Sequence, residues 1–320
     1  MSKTAEPAAP TLPDARMNLC KPNSPATGRI VRSERCTASP KAAGIVRHIE
    51  IDVSGTPLEN ACLPGQSIGV LAPGEDERGR PHKVRLYSLA SPSAGEDGKG
   101  KILSTTVKRT IDEHRETGRL FLGVASNWLC DLSEGDEIQL TGPAGKRFLL
   151  PENTGAHDYA LFSTGTGIAP FRGFLLDLLS RDEDSRVTLV SGAAYGTDLL
   201  YHDELTALAA KHPDRFRYLA AVSREDNNGD GRLYVGDRLR THAGHFTELF
   251  DSGRALVYIC GIAGMEHGVL KSLADLLGPE RAPTYFDADA DTLANTSAWP
   301  ARGVVRHAKP TARVMLEVYD

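Results

Sequence analysis

The stretch Ser163-Thr164-Gly165-Thr166-Gly167-Ile168-Ala169-Pro170 decides how the chain is organised. Before it, residues 159–163 form an apolar run of strand length. After it, Phe171, Phe174, Leu175, Leu178 and Leu179 recur at i, i+3, i+4, i+7 and i+8, one face of an amphipathic helix. The two glycines let the backbone turn tightly and approach a ligand closely, and the free N–H groups of the helix behind them favour an anion. Pro170 suits the first helical turn, where its missing N–H is not needed. Proline also occupies the place of a third glycine, so the dinucleotide fingerprint G-x-G-x-x-G does not apply. Taken alone, the segment reads either as a tight strand-to-helix turn or as a phosphate cradle.

Downstream, strand-like runs recur at residues 187–191, 216–222, 255–260 and 314–319, with helical patterns near 202–210 and 264–277. Strands alternating with helices predict a parallel sheet. Upstream, between Gly28 and Leu150, the runs 45–53, 67–71, 84–90, 102–108 and 136–141 are short, alternating or β-branched, and separated by Gly, Pro and Asp. No three-turn amphipathic helix interrupts them, which predicts a closed barrel without exposed edges. The expected fold is therefore two-domain, an antiparallel β-barrel followed by an α/β parallel-sheet nucleotide-binding domain. Residues 1–24 are expected to be a flexible tail, 25–152 the barrel and 153–320 the α/β domain, with Pro151-Glu152-Asn153-Thr154-Gly155 at the junction.

Of the 320 residues, 40% are hydrophobic and 25% charged, a makeup that excludes disorder as the overall state. A formal net charge of −5 provides no global positive field for nucleic acid or an anionic membrane. No run approaches the ~20 apolar residues of a membrane helix. Cys20, Cys36, Cys62, Cys130 and Cys260 are odd in number, widely spread and without a C-x-x-C pair. That pattern argues against disulfide scaffolding and against zinc or iron–sulfur sites, so no metal is expected and a reducing, cytoplasmic setting is. Met1 to Met17 carries Glu6 and Asp14 and no apolar core, unlike a signal or transit peptide.

Other clusters carry chemistry. Ser223 and Arg224 leave the end of the third strand of the second half, followed by Arg232 and Tyr234. A hydroxyl, two guanidiniums and a phenol at the carboxyl edge of a parallel sheet suit a 2′-phosphate and an adenine, or else form a solvated loop. In the first half, Arg85-Leu86-Tyr87-Ser88 ends a strand and Gly123-Val124-Ala125-Ser126-Asn127-Trp128-Leu129 opens a short helix. Arg85 suits a pyrophosphate, Tyr87 a flavin face and the helix start a phosphate, while the bland reading is rim and surface residues.

In order and register, these motifs resemble those of the plant-type ferredoxin–NADP reductases. The resemblance runs from about residue 19 to 319. It rests on Asn18-Leu19-Cys20-Lys21-Pro22, Gly65-Gln66-Ser67-Ile68-Gly69, Arg85-Leu86-Tyr87-Ser88, Val107-Lys108-Arg109 and Gly123-Val124-Ala125-Ser126-Asn127. In the second half it includes Gly165 to Pro170, Ser223-Arg224, Tyr234, Val257-Tyr258-Ile259-Cys260-Gly261, Gly264-Met265-Glu266 and Glu317-Val318-Tyr319. It implies an FAD-binding barrel and an NADP-binding domain, with NADPH and a separate ferredoxin or flavodoxin as partners. FAD would be held by Arg85, Leu86, Tyr87, Ser88, Thr106, Val107, Lys108, Gly123, Val124, Ala125, Ser126, Thr166 and Tyr319. NADP(H) would be held by Lys108, Gly165, Thr166, Gly167, Ala193, Ala194, Ser223, Arg224, Arg232, Tyr234, Cys260, Gly261 and Glu317. Ser88, Cys260, Glu317 and Tyr319 are the implied catalytic group: Cys260 orients the nicotinamide, Ser88 and Glu317 carry the N5 proton, and Tyr319 covers the flavin and moves aside. Read without the resemblance, Cys260 is a buried apolar thiol.

Three departures stand out. The aromatic that stacks on the FAD adenine in the family is missing from Thr110-Ile111-Asp112-Glu113-His114. Thr106 and Ala125 replace frequent cysteines, and Asp320 follows the terminal tyrosine. The reductase component of benzoyl-CoA epoxidase is also similar around residues 123–132 and 257–265, so a reductase feeding a separate oxygenase is a second expectation. A non-catalytic flavin or nucleotide binder is a third.

Overall fold

The protein is described by a computed structural model over residues 9–114, 116–227, 229–301 and 303–319; Asp320 and residues 1–8 lie outside them. The chain forms two compact units. The N-terminal unit is Asp14–Leu150 with Ala169–Asp177, and the C-terminal unit is Pro151–Ile168 and the chain from Leu178 onward, with the stretch up to Pro13.

The N-terminal unit contains β1 (Ala26–Arg35), β2 (Val46–Asp52), β3 (Ser67–Leu71), β4 (Arg85–Ser88), β5 (Ile102–Lys108), the short pair β6 (Ile111–Glu113) and β7 (Leu120–Leu122), helix α1 (Val124–Asp131) and β8 (Glu137–Ala144). Six strands make one antiparallel sheet in the order β4-β3-β8-β1-β2-β5. The outermost strands meet at one bridge, Leu89 to Thr105, supported by the Ala90 N–H on Ser104 O at 2.8 Å and Thr105 Oγ1 on Ser88 O at 2.8 Å. The ends of the sheet are thus joined by a bridge, not by a continued ladder. Ile30, Ile49, Ile51, Val70 and Leu140 fill the interior.

Strand β1 is central, yet the sequence signals it weakly. Only alternate residues in its first half are buried, with Arg29 between two of them and Arg32 just beyond the last. Their charges are matched across the sheet, Arg29 with Glu137 at 3.0 Å and Arg32 with Glu50 at 3.1 Å. The stretch expected to be a free tail is tied down from Arg16 onward. The Gln66 amide donates to the carbonyls of Arg16 and Gly145, and Asn18 and Cys20 bond the backbone of Pro143 and Gly142.

A charged network lies inside this unit. Arg172, 9% exposed, donates to Glu96 at 2.6 Å and to the Ala90 carbonyl at 3.0 Å. Glu96 also accepts from Ser104 Oγ at 2.6 Å. His48 lies 3.4 Å from Glu50, and burial, with Arg172 beside it, lowers its pKa to about 4, so it is neutral near pH 7. His48, Glu50 and Glu96 bring ligand atoms together, but both carboxylates are already engaged by Arg172 and Arg32.

The C-terminal unit builds a parallel sheet in the order β11-β10-β9-β12-β15. Its elements are β9 (Asp158–Thr164), the ends of α2 (Ile168–Ser180, whose residues Ala169–Asp177 belong to the N-terminal unit), β10 (Val187–Ala193), α3 (His202–Lys211), β11 (Phe216–Val222), α4 (Asp237–Thr241), α5 (Ala243–Asp251), β12 (Ala255–Ile262) and α6 (Met265–Arg281). Then follow β13 (Phe286–Asp287), α7 (Ala290–Ala294), α8 (Val304–His307), β14 (Lys309–Pro310) and β15 (Val314–Tyr319). Strands β9, β10 and β12 are buried almost throughout, as expected of strands covered on both faces. Helix α6 breaks at Gly278 (φ 66°, ψ 175°) before Pro279, just beyond the expected end at Leu277.

The apolar face expected of α2 is buried, and Phe171 and Phe174 pack against Phe148 with ring centres 5.9 and 6.0 Å away. Arg172 and Asp177 are buried as well, because Glu96 and Ser93 supply their partners. Removing one member of a buried pair strands the other charge, at a cost of about 3–5 kcal/mol. Arg172→Met is therefore expected to lower the unfolding free energy by about that amount in urea denaturation; a loss below ~1 kcal/mol would mean that the network carries no net stability.

Candidate functional site

In the C-terminal unit every strand of the sheet delivers an expected site residue at its carboxyl end, where open α/β sheets bind ligands. Gly165, Thr166 and Gly167 follow β9, Ala193 and Ala194 lie at the end of β10, and Ser223 and Arg224 follow β11. Cys260 and Gly261 end β12, and Glu317 and Tyr319 end β15.

Two glycines shape the loop after β9 for different reasons. Gly165 has φ +53°, and nothing lies within 4 Å of where its side chain would be, so its outer side is open space. Gly167 has ordinary dihedrals, but a methyl group there would collide with the Cys260 carbonyl. The loop is pressed against the end of β12 and open on the other side, a shape that admits a diphosphate. Thr164 Oγ1 accepts from the Ile262 N–H at 3.1 Å and fastens the two strand ends together. No side chain caps α2.

Cys260 is fully buried and stands in register with Ser163 of β9 and Glu317 of β15. Burial raises its pKa well above the ordinary thiol value, with Glu317 adding to the effect, so it is a neutral thiol and not a nucleophile. Burial also raises the Glu317 pKa above the usual carboxyl value. Tyr319 pairs with Ile262 across β12, and its phenol oxygen lies 2.8 Å from Thr166 Oγ1, linking the last strand to the glycine loop.

At the other end of the edge, the Ser223 N–H donates to the Ala193 carbonyl at 3.0 Å and the Arg224 N–H to Ala194 at 2.9 Å. Arg224 lies with its guanidinium carbon 5.7 Å from the ring centre of Tyr195, a residue the sequence did not single out. Tyr195, and after it Tyr234, hold that guanidinium above its ordinary pKa. Tyr234 is 73% exposed, and its N–H is fixed by Asp237 at 2.7 Å. Arg232 makes no hydrogen bond or ion pair among the described residues. Asn227, also unforeseen, is buried and bonds both backbone groups of Val222 at 2.8 Å, setting the path of the loop that carries these side chains.

The N-terminal unit holds its own group. Arg85 and Tyr87 alternate with Leu86 and Ser88 on β4. Arg85 is exposed with no ion pair among the described residues, whereas Tyr87 packs on the core and burial pushes its phenol up to about 12. Val107 is fully buried, and Lys108 beside it is exposed. Gly123 starts α1 with no side-chain cap, leaving the first-turn N–H groups toward an anion. A methyl at Gly123 would lie 2.7 Å from Ser126 Oγ and 2.9 Å from Thr110 Cβ. Asn127 donates to the Gly123 carbonyl at 2.8 Å and fixes that start. Residues 110–114 hold no aromatic, and across the hairpin Phe121, 58% exposed, pairs with Asp112.

A carboxyl with a raised pKa binds protons more tightly in the folded state. Its contribution to stability is complete below the ordinary glutamate value of 4.5 and is lost as pH rises through the raised one. Glu317→Gln is permanently neutral, so its melting temperature is expected to match the parent near pH 4 and to exceed it increasingly toward pH 8. A difference that shrinks with rising pH would contradict the assigned direction.

Comparison with known proteins bears on this arrangement. Residues 161–271 match the family model described as "Oxidoreductase NAD-binding domain". Ferredoxin–NADP reductase of Spirulina sp is 38% identical over 282 residues, covering 86% of this chain and 92% of that protein. The chloroplastic root isozyme 2 of Arabidopsis thaliana is 40% identical over 300 residues, covering 89% and 76%. Among solved structures, ferredoxin–NADP+ reductase from Plasmodium falciparum shares the fold, with a TM-score of 0.67 at 23% identity over 94% of this chain and 99% of that one. Identity at this level over most of both chains, together with the shared architecture, means that the chain belongs to the ferredoxin–NADP reductase family.

Proposed function

We propose that the protein is an FAD-dependent ferredoxin (or flavodoxin)–NADP(+) oxidoreductase, exchanging electrons between NADPH and a small redox protein of a separate chain. The observation that carries the proposal is the carboxyl edge of the parallel sheet, where an open-sided glycine loop, an exposed arginine, a buried thiol and a half-buried carboxyl lie at the ends of β9, β11, β12 and β15. The residues present suit the two groups. The uncapped start of α1 and the crowded Gly123 favour a close-lying phosphate of FAD, and open space outside Gly165 favours the diphosphate of NADPH. FAD held there would supply a hydride acceptor for NADPH and one-electron transfer to the partner protein.

The remaining roles belong to the chain. Arg85, Leu86, Tyr87, Ser88 and the backbone from Thr106 to Lys108 hold FAD, with Gly123, Val124, Ala125 and Ser126 at its phosphates and Phe121 presenting an aromatic face. Gly165, Thr166 and Gly167, with Ala193, Ala194 and Gly261 along the edge, hold NADPH. Ser223, Arg224, Arg232 and Tyr234 take its 2′-phosphate and adenine. Cys260, rigid and neutral, orients the nicotinamide by packing. Glu317 holds a proton to higher pH than an ordinary carboxyl and can exchange the proton that accompanies hydride, and in the N-terminal unit the Ser88 hydroxyl is a second group able to pass one. Tyr319, bonded to Thr166, swings to admit the nicotinamide. All five cysteines are free thiols, which supports a reducing compartment such as the cytoplasm. Among the described residues no helix is long and apolar enough to cross a membrane.

Purified protein is expected to carry or take up FAD, to lose flavin absorbance within seconds of anaerobic NADPH addition, and to reduce members of a panel of ferredoxins and flavodoxins. A colourless protein that binds no FAD, or a flavin that NADPH leaves oxidised, would overturn the proposal. Arg224→Ala is expected to raise KM for NADPH by roughly tenfold or more, with a much smaller effect on KM for NADH. Equal effects on both would remove Arg224 from the 2′-phosphate.

A further inference from the structure

Within six residues of Arg224 the chain places three carboxylates, Glu225, Asp226 and Asp230, and a fourth follows at Asp237. Any of them pairing with Arg224 would block an incoming anion. Each is engaged elsewhere. Glu225 accepts from the Gly196 N–H at 2.6 Å, and Asp226 accepts from the N–H groups of Gly229 and Gly231 at 2.6 and 2.9 Å. Asp230 pairs with Arg238 at 2.8 Å, and Asp237 accepts from the Tyr234 N–H at 2.7 Å. Among the described residues Arg224 has no carboxylate partner, and what lies beside its charge is the face of Tyr195.

Tyr195 is itself well placed. It follows Ala194, whose carbonyl holds the Arg224 N–H, and precedes Gly196, whose N–H is held by Glu225. The loop after β10 is therefore clasped to the loop after β11 on both sides of the Tyr195–Arg224 contact. The Tyr195 side chain attracts the guanidinium without neutralising it, through its ring and through a phenol oxygen that acts as a hydrogen-bond partner. An exposed arginine otherwise spreads over many rotamers, at an entropic cost whenever a ligand fixes it.

We infer that Tyr195 is a positioning residue that holds the Arg224 guanidinium ready for a phosphate monoester, and so sets preference for NADPH over NADH. The inference rests on the assignment of Arg224 to the 2′-phosphate and deepens it: specificity is shared between the cation and the ring that steadies it. Tyr195 acts through Arg224, leaving the phosphate to the guanidinium.

The test uses the FAD-loaded protein in two readouts, the ratio of kcat/KM for NADPH to that for NADH, and the calorimetric affinity for adenosine 2′-phosphate relative to adenosine 5′-phosphate. Tyr195→Leu is expected to lower both ratios by about three- to fivefold, the size of an exposed cation–π contact. Tyr195→Phe, which keeps the ring and removes the phenol, should recover the part of the loss that the ring carries, and it guards against misreading a folding defect. In an Arg224→Ala background, Tyr195→Leu should change neither ratio further. If Tyr195→Leu leaves both ratios intact while Arg224→Ala collapses them, the inference is overturned and the 2′-phosphate assignment stands. An undiminished effect of Tyr195→Leu in the absence of Arg224 overturns it as well, because the ring would then act on the nucleotide itself. Should Arg224→Ala leave both ratios unchanged, the 2′-phosphate assignment fails and the inference falls with it.

Discussion

Gly167 lies so close to the end of β12 that any side chain would strike the Cys260 carbonyl, and much of the site follows from that approach. Because the loop after β9 is pressed against β12, Thr166 comes within 2.8 Å of the Tyr319 phenol on the far neighbour of β12. For the same reason Thr164 can fasten the β9 end to Ile262. A loop held away from the sheet would leave a gap at the carboxyl edge and an unsupported tyrosine. The steric fit at one glycine thus couples the loop that precedes α2 to the last strand of the chain.

The chemistry along the edge is graded by burial. Near Cys260 the surroundings disfavour charge, so the thiol stays protonated and the Glu317 carboxyl keeps its proton to higher pH. Near Arg224 the loop is exposed and rich in carboxylates, and the backbone solves the opposite problem by absorbing them. Asp226 closes the turn around Gly229 and Gly231, Asp230 is taken by Arg238, and Glu225 clasps the loop after β10. The acidic residues therefore build the cation's platform and do not quench the cation.

Legibility in the sequence tracked how local each signal was. The edge strands β11 and β15 are legible to their exact ends, and the apolar runs of the covered strands β9, β10 and β12 place those strands to within two residues. The break of α6 at Gly278-Pro279 was readable from residue type alone. Strand β1 was not singled out, since its arginines look solvated until Glu50 and Glu137 are placed opposite them. The buried Arg172–Glu96 pair was equally hidden, since 76 residues separate its members. At the site, motif residues were legible through glycines and a family pattern, but Tyr195, Asn227 and Phe121 were not. Each is defined by what it faces across a loop or hairpin: a guanidinium, the end of β11, and Asp112.

That last group shows where this chain has room to differ from its relatives. In the hairpin of β6 and β7 the exposed aromatic is Phe121, on the strand opposite the segment where the family resemblance leads one to expect a ring. Residues paired across a two-stranded ribbon lie about 5 Å apart, so moving a ring from one strand to its partner shifts it by roughly one strand spacing and can keep it on the same face. Such a change preserves a flat apolar surface while altering which residue supplies it. The same reasoning applies at Tyr195, where steadying Arg224 requires a ring of suitable height and not a particular backbone position. Requirements of this kind fall on a surface and not on a residue type, which is why the motifs single out the glycines with Tyr87, Tyr234 and Tyr319 but leave Tyr195 and Phe121 unmarked.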